Sequence, residues 1–342
     1  MLRKDLLFQT CTDQENELGS SATISRFENS VERDALVNIS KEMVEIFIAG
    51  HKRVPEELVL DFDPTNNKLH GHQEQRHYHG YYGEQCYLPL HVFCGDKLIV
   101  SMLRPSNIDG SKYAGAILRL LVKRFRQTWP KVKITMRGDC AFARKHIMHW
   151  CEKNDTGYVM GMPSNVRLQN MAVPFVEQLK EEGQRLFGDF FYSAGAWKCK
   201  RRVIVKTEYC TWGINTRFVI TNKSESPQVL YENVYCLRGN MENHIKQLKL
   251  DLYSDRNSCK AFNANYFRLL LSSIAYILMT ELKSSHLNIT ALAKVYCGNM
   301  RLKLIKIGTI VLKNTRRISC LISSTHPHHD DFYTALQSLV PG

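Results

Sequence analysis

Four side chains near residue 240 have the types and spacing to act on a phosphate. Tyr235, Arg238, Glu242 and Lys249 stand in "YCLRGNMENHIKQLK", separated by three, four and seven residues. On a helix of about 3.6 residues per turn all four fall near one face. Such a face sets a carboxylate between two cations and a phenol, which suits holding a metal ion and gripping phosphate oxygens. Taken alone it also fits a solvated, salt-bridged helix face, the usual meaning of Arg and Glu four residues apart. It does not stand alone. Asp61 and Asp63 in "LDFDPT" end one strand-like run, and Asp139 in "MRGDCAF" ends another. Any single strand-end Asp is commonly a turn or cap residue. Two strand-end aspartates with a helical glutamate are the hard oxygen ligands of two-metal phosphoryl transfer. Two Mg²⁺ ions about 3.5–4 Å apart then activate the nucleophile and stabilise the leaving oxygen.

The elements that must carry these acids are legible in outline. "ELVLDF" (Glu57–Phe62) is a short apolar run leading into acids and Pro64, the pattern of a core strand reaching a sheet edge. "QCYLPLHVFC" (Gln85–Cys94) and "KLIVSMLRP" (Lys97–Pro105) flank a Gly95-Asp96 hairpin turn. An amphipathic helix from about Tyr113 to Thr128 follows, with Ile117, Leu120, Leu121 and Phe125 on one face. "KVKITMRGDCAF" then supplies a strand ending at Gly138-Asp139, and a helix runs through about Glu152. Three strands, a helix, a strand and a helix is the order of a ribonuclease-H-like core. From about Asp189 to Asn222 the pattern becomes alternating strands rich in aromatics and bases, as in "KRRVIVKTEY" and "TRFVITN". A helix is expected from about Asn233 to Leu250, another over the apolar run Phe262–Leu282, and a basic strand pair over Met300–Leu321. The expected fold class is α/β: a mixed sheet flanked by helices and interrupted by a β-rich insertion. The expected division is a helical N-terminal region (1–50), the first part of the core (51–188), the insertion (189–230) and the remaining core with basic strands (231–342).

Lys+Arg 46 against Asp+Glu 33 leaves a formal charge of +13, which favours polyanions such as nucleic acid. Hydrophobic content of 44% and charged content of 23% suit a folded domain rather than a disordered tail. The 11 cysteines are odd in number and lack a CxxC pair, so reduced thiols are expected. Asn263, Asn265 and Arg268 interrupt the longest apolar run, which reads as a buried helix and not a membrane span.

The sequence resembles insertion-sequence transposases of the DDE class, in the group marked by a Tyr-Arg-Glu-Lys signature. Y-x2-R-x3-E-x6-K matches that signature at Tyr235, Arg238, Glu242 and Lys249. "DFDPT" resembles the group's first-acid motif and "GDCAFA" its second; "HGHQE" and "HGYYGEQCYLPLHVF" are also similar. The likeness runs from about Ser20 to the C-terminus. It implies that Asp63, Asp139 and Glu242 are catalytic and hold two Mg²⁺, with Mn²⁺ tolerated and Asp61 an alternative to Asp63. It implies metal-dependent cleavage of double-stranded DNA at transposon terminal inverted repeats and strand transfer into target DNA, by a homodimer on DNA in the cytoplasm, at the bacterial nucleoid. Arg238 and Lys249 are expected at phosphates near the cut, and Tyr235 at the backbone or a displaced base. Trp212 and Trp197 are candidates to stack on an extruded base in the β-rich insertion, against the alternative of core packing. Compared with the group, the region ahead of the first acid looks shortened, which leaves a DNA-binding remnant without chemistry as one alternative and a ribonuclease-H-like nuclease as another.

Lys200 and Arg201, with Lys198 and Arg202, form a basic run among aromatics: a solvated charge run or a DNA-backbone strip. The C-terminal bases Arg301, Lys303, Lys306, Lys313, Arg316 and Arg317 admit the same two readings. His70, His72, His77 and His79 invite a zinc reading, but no Cys pair or helical His spacing accompanies them.

Overall fold

A computed structural model describes residues 2–14, 16–195, 197–314 and 317–339; Arg316 lies outside the described residues. The chain divides into two compact units, one made of residues 40–69 and 76–245, the other of residues 1–39, 70–75 and 246–342.

The first unit holds all the acids of interest. Its centre is an eight-stranded mixed sheet. The strands are β1 (Glu57–Pro64), β2 (Leu90–Cys94), β3 (Lys97–Met102), β4 (Lys133–Gly138), β5 (Gly157–Met162), β6 (Leu186–Tyr192), β7 (Arg201–Cys210) and β8 (Gly213–Thr221). Their order across the sheet is β3-β2-β1-β4-β5-β8-β7-β6. β1, β4 and β5 run parallel, and β2 and β3 fold back antiparallel beside β1. This is the ribonuclease-H-like arrangement. The β-rich segment does not form a separate layer: β8 pairs antiparallel with β5, and β7 and β6 extend the same sheet outward. It also begins at Leu186, just ahead of the expected boundary.

Helices α1 (Arg33–Ala49), α2 (Ala114–Thr128), α3 (Lys145–Lys153) and α4 (Val166–Glu182) accompany the strands. On α2 the buried stripe is Ala114, Leu118, Leu121, Val122 and Phe125, the three-and-four spacing of a core-facing helix. Leu120, expected on that face, is instead 69% exposed, because its neighbour Leu121 occupies the core direction. Phe125 meets Phe47 of α1 at 5.4 Å within the same core as Leu58, Leu60 and Phe62 of β1. A small three-stranded sheet (Asn67–Lys68, His77–His79 and Glu84–Tyr87) follows β1.

The helical segment after β8 starts earlier than expected, at Pro227 behind a Ser226 cap, and is not uniform. A wide π turn (Leu230–Tyr235) passes into a tight 3-10 turn (Cys236–Arg238) and then into α5 (Gly239–Lys246). In the second unit, α6 (Phe262–Glu281) packs Phe267 against Phe27 of the helix Ser21–Asn29, rings 5.6 Å apart. There the basic segment expected as strand from Met300 is helical through Ile305, and the strand pair is confined to Thr309–Lys313 and Ile318–Ile322. No helix among the described residues is long and apolar enough to cross a membrane.

Candidate active site

The parallel register of β1 and β4 brings the aspartates together. Asp61 lies opposite Arg137, and Phe62 opposite Gly138. One step further along both strands stand Asp63 and Asp139. The next pairing, Gly138 with Met160, brings β5 alongside and leaves Gly161 beside Asp139. Asp63 and Asp61 are two apart on one strand and share a sheet face, yet their surroundings differ. Asp61 is 2% exposed and held by two parallel hydrogen bonds from the Arg137 guanidinium, from Nε to one oxygen and from Nη2 to the other at 2.6 Å. Arg137 Nη1 also donates to the carbonyl of Val234 at 2.5 Å. Asp61 is thus committed to an internal ion pair. Asp63 keeps a looser partner, Arg238 Nη1 at 4.0 Å.

Burial pushes the Asp63 carboxyl up to about 7, against the pull of Arg238 and with added repulsion from Asp139, Glu242 and Asp61. The three acids expected to act together therefore feel one another. Asp139 caps the short turn Cys140–Phe142, its Oδ1 accepting from the Ala141 N–H at 2.9 Å. Glu242 lies exposed in the first turn of α5. Burial raises the Tyr235 phenol, while Arg238 lowers it through its charge and a hydrogen bond, and Asp139 opposes that. Tyr235, Arg238, Asp63, Asp139 and Glu242 are thus gathered at the strand ends. Lys249 is half-buried in the π turn Gln247–Asp251 and belongs to the other unit.

Three further residues support these positions. Gly161 is one. A Cβ there would stand 2.6 Å from the Tyr235 hydroxyl and 3.1 Å from the Cys140 nitrogen, so only a glycine lets the phenol and the Asp139 turn close over β5. Gly138 is the second: a Cβ would fall 2.7 Å from the ring of Phe142, the buried end of the same turn. The third is Arg104, 1% exposed, whose guanidinium donates to the carbonyls of Leu88, Gly110 and Lys112. Burial away from any bonded carboxylate pushes it down to about 10. Its loop places Gly110 against Pro64 and Ala141, the residues just past Asp63 and Asp139.

The β-rich candidates separate. The row of Asp139 and Gly161 continues through Val219 and Ile204. Lys200 and Arg201 precede Ile204 on the side from which β1 and β4 enter, away from the acids. Arg201 is no part of an exposed strip: it is 5% exposed and pairs with Glu152, Nε donating at 2.6 Å and Nη2 at 2.9 Å. Lys200 is exposed. Trp212 lies on the other side of the row, in the turn joining Cys210 to Gly213, and is 96% exposed. Trp197 is a packing residue, edge-on to Tyr192 at 5.6 Å and under the Arg201 guanidinium at 5.1 Å.

A divalent cation finds suitable donors here, since a carboxyl disfavoured as an anion by burial, and further by the negative charge around it, gains most when a metal ion replaces its proton. Among the described residues, no group of three His, Cys, Asp or Glu side chains is already set to hold one. The fit therefore rests on the chemistry of the donors and the convergence of their charges.

A family model described as transposase DDE domain group 1 matches residues 1–341. The chain belongs to this transposase family. No curated protein matches the sequence. Among solved structures, a piggyBac transposase synaptic complex with hairpin DNA is similar at 12% identity and a TM-score of 0.41, covering 69% of this chain. This transposase-family chain spans half the length of the piggyBac chain, 50%. A Marinitoga piezophila Argonaute in complex with guide RNA and target DNA matches at 9% identity and a TM-score of 0.24, covering 59% of this chain and 26% of its own.

Proposed function

We propose that this member of the transposase DDE family cuts double-stranded DNA at transposon ends and transfers the freed strand to target DNA. The observation that carries the reading is the convergence of Asp63, Asp139 and Glu242 with Arg238 and Tyr235 at the ends of the strands. Asp63, rather than Asp61, is the first acid, because Asp61 is already committed to Arg137. Asp63, Asp139 and Glu242 would hold Mg²⁺ or Mn²⁺, which when bound neutralises phosphate charge and activates the attacking oxygen.

The protein's own groups do the rest. Arg238 offers a planar donor fork to a non-bridging phosphate oxygen and is held by Asp63 and Tyr235 until one arrives. Tyr235 keeps its proton at neutral pH and donates from its hydroxyl to the backbone beside the cut. Lys249, carried by the other unit, is a further candidate cation for the DNA backbone. Attack of water on phosphorus breaks the bond to O3′ and leaves a 3′-OH and a 5′-phosphate. That 3′-OH then attacks a second phosphodiester in line, exchanging one P–O bond for another with no external energy source. Trp212, projecting past the acid row, is an aromatic available to an extruded base. Two ends must be held at once, so the working form is a dimer on DNA.

The deciding experiment follows a labelled duplex carrying the element's own terminal repeat, with Mg²⁺, for the wild type and Glu242→Gln. Nicking that leaves a 3′-OH and disappears in the variant is expected. Glu242 is exposed, so the variant should fold normally. A wild type that binds the duplex but neither nicks nor joins it, with Mn²⁺ also tried, refutes the enzymatic reading in favour of a DNA-binding remnant.

A further inference from the structure

The small sheet after β1 carries an aromatic hairpin that the chemistry above leaves unused. His77–His79 pairs antiparallel with Glu84–Tyr87, and Gly83, at φ 67°, closes the tight connection by donating from its N–H to the His79 carbonyl at 2.9 Å. The tip exposes Tyr78 at 62% and Tyr81 at 87%. Tyr81 stands edge-on to Tyr82, rings 5.0 Å apart, and Tyr82 lies 4.9 Å from the His79 ring. The three rings form a ladder from solvent inward.

The hairpin is tied to the strand that carries the acids, and its middle ring feels their charge. Asn66, three residues past Asp63, donates to Glu84 at 2.6 Å and ties the hairpin to the end of β1. The Tyr82 phenol is raised first by burial and then by the charges of Asp63 and, further off, Asp139. Ser106, on the loop that Arg104 organises, donates to the His77 carbonyl at 2.8 Å and braces the other strand. At the inner end of the ladder His79 Nδ1 is buried with no hydrogen-bond partner in the protein. A buried imidazole nitrogen without a partner is costly unless a ligand or water supplies one. Large exposed aromatics beside it would gain by covering their faces.

We infer that the Tyr81–Tyr82–His79 ladder is a nucleotide ledge, on which an unpaired base of the DNA strand being cut stacks against Tyr81. This rests on the DNA-cutting reading. A strand whose phosphate lies at Asp63 carries its neighbouring nucleotides past the hairpin. Rigid tyrosine rings stack on any base at little entropic cost. The unpartnered His79 nitrogen and the Tyr82 hydroxyl supply polar contacts to the same nucleotide, and the chain's net charge of +13 favours a polyanion such as nucleic acid.

The test is a cycle between protein and DNA. The full chain and Tyr81→Ala are titrated, in EDTA so that no cutting occurs, onto fluorescein-labelled duplexes with a splayed three-nucleotide end. Each unpaired base is replaced in turn by an abasic site. Tyr81→Ala is expected to weaken binding on the order of tenfold. One abasic position should cost the wild type about the same factor and cost the variant nothing further. No loss from Tyr81→Ala, or losses that simply multiply at every position, overturns the ledge. Tyr81 is too exposed for its removal to disturb the core, and unchanged urea unfolding of the variant would verify that. Mg²⁺-dependent nicking by wild type and Tyr81→Ala separates the two claims. If the wild type nicks and the cycle fails, only the ledge falls; if the wild type neither binds nor nicks, both fall.

Discussion

Asp61 and Asp63 are two residues apart on one strand, and the structure requires their removal to act in opposite directions on stability. Asp63 is an acid whose folded value is raised from the ordinary 3.8 to about 7. The native state then holds its proton more tightly than the unfolded chain does. The favourable contribution is complete below about pH 4 and is lost progressively as pH rises to about 7. At about 1.4 kcal/mol per tenfold change in proton affinity, the ionised side chain costs the fold roughly 4 kcal/mol above pH 7, as an upper value. Asp63→Asn removes that cost and keeps the shape. It also takes from Arg238 an acceptor 4.0 Å away, a loose contact contributing on the order of 1 kcal/mol. We therefore expect the variant to be about 2–3 kcal/mol more stable than wild type at pH 8 in EDTA, a margin that shrinks below about 1 kcal/mol at pH 5. Asp61→Asn is expected to lose about 3–5 kcal/mol at pH 8, because it leaves Arg137 buried without its anion. Urea unfolding at the two pH values, read by intrinsic fluorescence, decides the matter. If Asp63→Asn is the less stable protein at pH 8, or its margin does not move with pH, the account of a repelled, metal-ready carboxylate is wrong. If Asp61→Asn is harmless, so is the distinction drawn between the two acids.

Gly161→Ala should fold but push the Tyr235 phenol and the Asp139 turn aside by about 1 Å. Single-turnover nicking is expected to fall on the order of 100-fold, with duplex binding changed far less, and equal nicking would remove Gly161 from the site. Arg201→Ala should cost about 3 kcal/mol in urea unfolding, the low end for a broken buried pair because Glu152 keeps some water. Lys200→Ala should change stability by less than about 0.5 kcal/mol. A reversed order would place Arg201, and not Lys200, on the surface.

The acids were the most legible part of this molecule. A run of apolar residues ending in Asp is a local pattern, and parallel pairing of two such strands places Asp63 beside Asp139 without further information. The long amphipathic helices and hairpin turns were readable for the same reason: their signals lie within a few residues. What could not be read depends on distances through space. Gly161 carries no motif; its need for a bare Cα arises because a phenol 74 residues later lands on it. The spacing around Glu242 predicts a uniform 3.6-residue turn, whereas the π turn through Tyr235 and the 3-10 turn through Arg238 change the phase of each side chain. Composition also made Lys200 and Arg201 look alike. One is exposed and the other is sealed against Glu152, a difference set by which strand face meets α3.

Arg137 ties these observations together. It lies two residues before Asp139, it clasps Asp61 two residues before Asp63, and it donates to Val234 one residue before Tyr235. One guanidinium thus joins β1, β4 and the turn that carries Tyr235. A buried ion pair contributes little to stability compared with an apolar pair of the same shape, because removing both charges from water costs nearly as much as their attraction returns. What Arg137 offers that an apolar side chain cannot is direction. Its flat fork fixes the spacing of β1 and β4, and its remaining N–H fixes where the π turn crosses the sheet. Catalysis by converging carboxylates depends on tenths of an ångström in the relative positions of three segments distant in sequence. A rigid, buried donor shared by β1, β4 and the Tyr235 turn is the physical means by which this sequence holds them in register.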